Sequence, residues 1–208
     1  MNGDGLTRRR FLGAGALAVA AAAAGAACDG GGGGEAATDT SAASRPALTG
    51  DVAVAHLVAG LENLAIDTYD ALGANVAAGA LGALPAVVGA VIATARAQHI
   101  EHLTEWNRVL QGAGQPAVDG PDAGLKPTLD GMLAEVADVG GAVRFALLVE
   151  EILADTYLKS IPTLTDKGLV RTTALMLATD QQHQALLRYV LGDNPVPEPT
   201  QIPDKAAS

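Results

Sequence analysis

Leu61-Glu62-Asn63-Leu64-Ala65-Ile66-Asp67-Thr68-Tyr69 and Val149-Glu150-Glu151-Ile152-Leu153-Ala154-Asp155-Thr156-Tyr157 are two versions of one segment. Glu, Asp, Thr and Tyr recur at identical spacing, which predicts a chain built as two related halves. Apolar packing does not require a Glu with a Tyr seven residues later, so Ala-rich composition alone does not account for the match. On a helical wheel of about 100° per residue, Glu150 falls in the middle of the stripe Val143, Ala146, Leu147, Leu153, Ala154, Tyr157 and Ile161. It is predicted to be buried, with Glu151, Asp155 and Arg144 on the solvent side. Glu62 lies between Val58 and Ile66, beside Leu61 and Tyr69, at the edge of its apolar face; His56, Asn63, Asp67 and Asp70 are opposite.

A weaker second match follows the first. With His102 set on His183, the segment Trp106 to Val109-Leu110 overlies Leu187 to Val190-Leu191, and His99 falls on Asp180. His102 shares its face with Val88, Val91, Ala95, Trp106 and Val109, and His99 is one turn back. His183 is placed among Met176, Thr179, Leu186, Leu187 and Val190, with Asp180 one turn back. Three of the four histidines therefore face inward.

Outward from these segments the chain reads as all-α. Of its 208 residues 49% are hydrophobic, mostly aliphatic or Ala, and only 3% are aromatic. Helix 1 is predicted from about Asp51, its N-cap, to Ala78, before Gly79 and Gly82. Helix 2 runs from Pro85, a residue suited to a first turn, to Gln111. A Gly/Pro/Asp-rich crossover spans 113–127. Helix 3 begins after Thr128 or, if Gly140-Gly141 splits it, is secure only over 142–161, where Pro162 ends it. Asp166 caps helix 4, which ends at Leu191-Gly192. This is an up-down four-helix bundle with one long crossover over residues 50–192, followed by a Pro-rich tail, 193–208.

Charge narrows the chemistry. The net charge is -10, and setting aside Arg8, Arg9, Arg10 and Asp4 of the first 28 residues leaves about -12. Such a surface repels phosphate backbones, so nucleic acid is not an expected partner. A buried carboxylate costs several kcal/mol or takes up a proton, and neighbouring ones repel. No Lys or Arg lies on the inward faces. A divalent metal held by oxygens and neutral imidazoles satisfies these faces economically. For any one group the plainer reading stands beside it: an inward His with satisfied nitrogens, or a protonated Glu. Tyr69 and Tyr157 are either donors to ligand carboxylates or plain core residues.

The amino terminus carries Thr7-Arg8-Arg9-Arg10-Phe11-Leu12-Gly13 and then an Ala/Gly-rich apolar stretch to Ala27, too weakly apolar to be a good membrane span. It resembles a twin-arginine export signal over 1–28. Gly25-Ala26-Ala27-Cys28 resembles a lipobox, with Gly25 where Leu is usual, and implies acylation of Cys28, the only cysteine. Residues 29–49, Gly-, Ser- and Ala-rich, read as a flexible tether. These features imply a lipoprotein on the extracytoplasmic side of the cell membrane, or simple secretion.

Glu from each of two helices and a Glu-x-x-His pair from each of the others is the pattern of ferritin-like di-iron and di-manganese proteins. Residues 51–192 resemble that superfamily, particularly its exported bacterial members. The resemblance implies metal ligation by Glu62, His102, Glu150 and His183, with His99 and Asp180 where the family has Glu. An imidazole was expected to serve one ion, and Asp is a methylene shorter, so one metal or an asymmetric pair is implied, with Fe, Mn or Zn all plausible. Glu105, one turn beyond His102, is a further oxygen or a solvated charge. The function implied is a metal-binding domain, at most a metal-dependent oxidoreductase. The competing reading is a metal-free structural or stress-associated bundle; haem on a His with Met132 or Met176 leaves the carboxylates unexplained. A lipid-tethered domain is awkward to close into a storage shell, whereas a homodimer is compatible.

Overall fold

The computed structural model describes residues 48–197, 200 and 203–207; the leader, Cys28 and most of the tether lie outside them. Among the described residues every regular element is helical: α1 (Gly50–Ala77), α2 (Ala86–Gly112), α3 (Lys126–Ala134), α4 (Val139–Ser160), a 3-10 turn (Ile161–Thr163) and α5 (Lys167–Leu191). No helix among them is long and apolar enough to cross a membrane. α1 pairs with α2 and α4 with α5 as two hairpins, which join chiefly through α1 against α4 and more thinly through α2 against α5. The expected bundle is present, with the small α3 inside the crossover.

Glycines and caps set the ends. Gly79 and Gly82, both at positive φ, turn the chain after α1, and Gly192 at φ 77° closes α5 with a left-handed cap that a side chain would strain. Pro85 precedes α2 as its N-cap rather than lying in its first turn. Asp166 caps α5 by accepting from Leu169 N. Gly140 and Gly141 do not split a helix: α3 ends before them and they form the first turn of α4, where Asp138 accepts from Gly141 N.

The N-cap of α1 is Thr49, not Asp51. The Asp51 carboxylate reaches instead to the start of α5, accepting from Thr165 N (2.8 Å), Thr165 Oγ1 (3.0 Å) and Asp166 N (2.9 Å). A long-range partner of this kind leaves no mark on the local pattern.

The apolar interior is divided in two. One cluster gathers Leu61, Leu64, Tyr69 and Leu72 with Val88, Ala95, Phe145, Ile152, Leu153 and Leu187. The other gathers Ala55, Val58 and Ala59 with Trp106, Leu110, Tyr157 and Met176. Along α1, α2 and α5 the change from one cluster to the other falls at Glu62, at His99 and His102, and at Asp180 and His183; on α4 it falls between Leu153 and Tyr157, next to Glu150. A layer of polar side chains crosses the bundle there.

On α4 the solvent-side expectation fails for Asp155, which is 1% exposed. The tail returns over it: Lys205 N donates to Asp155 Oδ2 (2.9 Å), Lys205 Nζ pairs with Glu151, and Ala207 N donates to Thr156 Oγ1 (2.8 Å). Glu151, also paired with Arg188, is largely covered with a side chain 15% exposed, whereas Arg144 is exposed as expected. Leu186, expected to face inward, is 48% exposed.

The backbone N–H of Thr165, then that of Asp166, holds the Asp51 carboxyl below its ordinary 3.8. A carboxyl depressed on folding adds stability above its unfolded pKa and loses it as pH falls through the folded one. Asp51→Asn is therefore expected to melt at a lower temperature than the parent near neutrality. Paired thermal melts should show that gap closing as pH is lowered past 3.8.

Candidate metal centre

α1 supplies Glu62, α2 His99 and His102, α4 Glu150, and α5 Asp180 and His183, the pairs three residues apart on one helix face. All six are buried, and Glu62, His99, Glu150 and Asp180 are 0% exposed. The six sequence candidates form a closed ring in which carboxylate and imidazole alternate. Glu62 Oε2 is 2.7 Å from His99 Nδ1, and His99 Nε2 is 3.0 Å from Glu150 Oε1. Glu150 Oε2 is 3.2 Å from His183 Nδ1, and Asp180 Oδ1 is 4.0 Å from that nitrogen and 3.9 Å from His102 Nδ1. His102 Nδ1 closes the circuit 3.4 Å from Glu62 Oε1. Glu62 is thus fully inside the bundle rather than at its edge. Glu105 is not part of the ring and pairs with Arg108.

The repeated tyrosines work across the two halves. Tyr157 donates to Glu62 Oε1 and Tyr69 donates to Glu150 Oε1, so the tyrosine of each half serves the glutamate of the other. Burial, reinforced by the glutamate each one faces, pushes both phenols well above their ordinary pKa and keeps them donors. Trp106 Nε1 donates to Tyr157 OH at 2.9 Å, and the Tyr69 ring stacks on His99.

Burial alone would favour a neutral His99, yet the carboxylates of Glu150 and Glu62 on either side outweigh it and hold its pKa well above the ordinary value. The same contact, against burial, keeps both glutamates below theirs. Asp180 behaves in the opposite way: burial, then Glu150 and Glu62, pushes it well up. Neither of its oxygens has a hydrogen-bond partner, and the same is true of His102 Nδ1. His183 Nε2 donates to Gln98 Oε1 at 2.5 Å, and its Nδ1 faces Glu150 and Asp180.

Buried polar atoms without partners that converge in one layer are compatible with a bound cation. The donor set fits a divalent ion. His99, Glu150, Asp180 and His183 offer ligand atoms within 4.8 Å of one another, and so do Glu62, His99 and His102. Gln98, on α2, holds the His183 imidazole by its outer nitrogen. Sequence reasoning missed Gln98, since a Gln beside His99 carries no periodic signal. It also missed Gln184, whose side chain donates to the Glu150 carbonyl (3.1 Å).

The two tyrosines differ in what their loss exposes. Tyr69→Phe removes one donor from Glu150, which keeps His99; Tyr157→Phe strips a donor from Glu62 and also orphans the Trp106 N–H. Each change is expected to cost about 1–3 kcal/mol, with Tyr157→Phe the larger. Urea midpoints of the two variants check the order.

A family model described as a ferritin-like domain matches residues 50–193. No curated protein and no solved structure gives a significant match to the chain.

Proposed function

Since the chain belongs to the ferritin-like domain family, we propose that it is an exported, lipid-anchored protein whose bundle holds one or two divalent metal ions, Fe or Mn in the first place and Zn otherwise. The single observation that carries metal binding is the set of buried polar atoms without hydrogen-bond partners, both Asp180 oxygens and His102 Nδ1, closing a ring with Glu62, Glu150 and His183. Among the described residues no Lys or Arg pairs with the ring.

In this reading Glu62, His102 and one nitrogen of His99 hold one side of the centre, and Glu150, His183 and Asp180 the other. A redox-active ion bound there supplies one-electron chemistry toward oxygen or a peroxide. The chain's own part is to orient and to exclude. Tyr69 and Tyr157 donate to the glutamates and fix their carboxylate planes. Gln98 fixes the His183 tautomer. The apolar clusters above and below keep water from the layer.

The export and anchoring part rests on the twin-arginine-like segment at Arg8-Arg9-Arg10 and on Cys28. A second reading is favoured by one contact: a protonated His99 between Glu62 and Glu150 neutralises part of the layer without metal, as in a structural bundle.

Elemental analysis of the protein exported by its own host separates the two. Metal binding predicts stoichiometric metal that is absent from the Glu62→Ala, Glu150→Ala double variant. Adding the ion to metal-free protein at about a hundred times its Kd is expected to stabilise the fold by about 2.7 kcal/mol, read as a rise in Tm. A metal-free host protein whose melting ignores both ion and chelator would leave only the structural bundle. For anchoring, Cys28→Ala is expected to move the protein from the membrane fraction to the soluble exported one.

A further inference from the structure

His99 is the only residue that belongs to both donor sets of the layer. Its two ring nitrogens divide between them: Nδ1 faces Glu62 on one side at 2.7 Å, and Nε2 faces Glu150 on the other at 3.0 Å. Each side then has its own glutamate and its own outer imidazole, with the Nδ1 of His102 near Glu62 and the Nδ1 of His183 near Glu150. Asp180 Oδ1 sits between those outer nitrogens, at 3.9 and 4.0 Å. The His99 ring is fully buried, and its tilt is set by Tyr69, stacked on it at a centroid distance of 5.7 Å and 24° between planes.

We propose that His99 is a bridging ligand, its imidazole ring standing between two metal ions, Nδ1 bound to the ion on the Glu62–His102 side and Nε2 to the ion on the Glu150–His183–Asp180 side. The inference rests on the metal-binding reading above and goes beyond it in fixing the number of ions and the link between them. A ring that gives a lone pair to each of two ions carries no N–H, so its remaining ring proton leaves to solvent as the second ion binds and the bridge is an imidazolate. Charge supports the arrangement. Three carboxylates and one imidazolate carry four negative charges, which two divalent ions cancel within a layer that has no Lys or Arg among the described residues. A carboxylate bridge would bring the ions together at adjacent oxygens, whereas this ring keeps them a ring's width apart and couples them through its π system.

The test loads the metal-free full chain with Cu(II) and reads stoichiometry by native mass spectrometry and the spin state by electron paramagnetic resonance. The expected result is two Cu(II) per chain with most of the isolated Cu(II) signal lost to exchange coupling. In His99→Gln, which keeps a polar side chain but cannot bridge, the coupling is lost: either one ion is bound, or two ions give a signal that integrates to two independent spins. One Cu(II) per wild-type chain overturns the bridge and leaves the metal-binding reading standing, while no bound Cu(II) overturns both. Two uncoupled ions in the wild type, or coupling that survives in His99→Gln, also overturns it. Because the wild-type spectrum alone decides the first question, a variant that fails to fold does not shelter the proposal.

Discussion

Three carboxylates buried in one layer, with no lysine or arginine beside them among the described residues, are the constraint around which this bundle is arranged. Taking one charge from water into an interior costs several kcal/mol even after relaxation, and the cost grows when the neighbour has the same sign. Each glutamate is therefore given donors from two directions, a tyrosine from the opposite half and His99 from α2. Asp180 is given none, and its pKa rises where those of Glu62 and Glu150 fall. The layer is stable as far as its donors extend, and it is incomplete on the Asp180–His102 side.

That incompleteness is tolerated because the rest of the interior is apolar on both sides. Leu61, Leu72, Leu153 and Leu187 pack on one side of the ring and Val58, Trp106, Leu110 and Met176 on the other, so apolar contacts join the four long helices on both sides of the layer. Burial of that kind is worth about 25 cal/mol per Å² of apolar surface. A layer freed from holding the fold can be specialised for binding. The Tyr157 hydroxyl shows how tightly the two functions adjoin: it accepts from Trp106 in the apolar cluster and donates to Glu62 in the ring.

What was legible in the sequence was what repeats. The spacing Glu-x4-Asp-Thr-Tyr marked Glu62 and Glu150, and the inward faces of α2 and α5 marked the three histidines and Asp180; all six meet in the structure. A helical wheel knows only its own helix, and the misreadings follow from that. A wheel places Asp155 in solvent because it cannot see residues 205–207 folding back over α4. Asp51 has the local look of a cap because its partners lie more than a hundred residues away. The Gly140-Gly141 pair could equally break a helix or begin one, and only the Asp138 cap decides between them. Gln98 had no signal, since a residue that orients a histidine from the neighbouring helix need obey no period.

The two halves differ most where the ring matters most. At equivalent positions one half carries His99 and the other Asp180, so a symmetric scaffold holds an asymmetric donor set. Replacing a carboxylate by an imidazole changes how the layer can reach neutrality. A carboxylate contributes one negative charge or none, whereas an imidazole can be positive, neutral or, between two ions, negative. With one divalent ion present, three carboxylates are balanced if His99 is an imidazolium, but a ring protonated on both nitrogens has no lone pair left to ligate. With two, balance requires the same ring to lose both protons and ligate at both nitrogens. In the proposed reading His99 is therefore the residue whose protonation state would follow the number of ions bound, from its seat between Glu62 and Glu150 with Tyr69 stacked on its face.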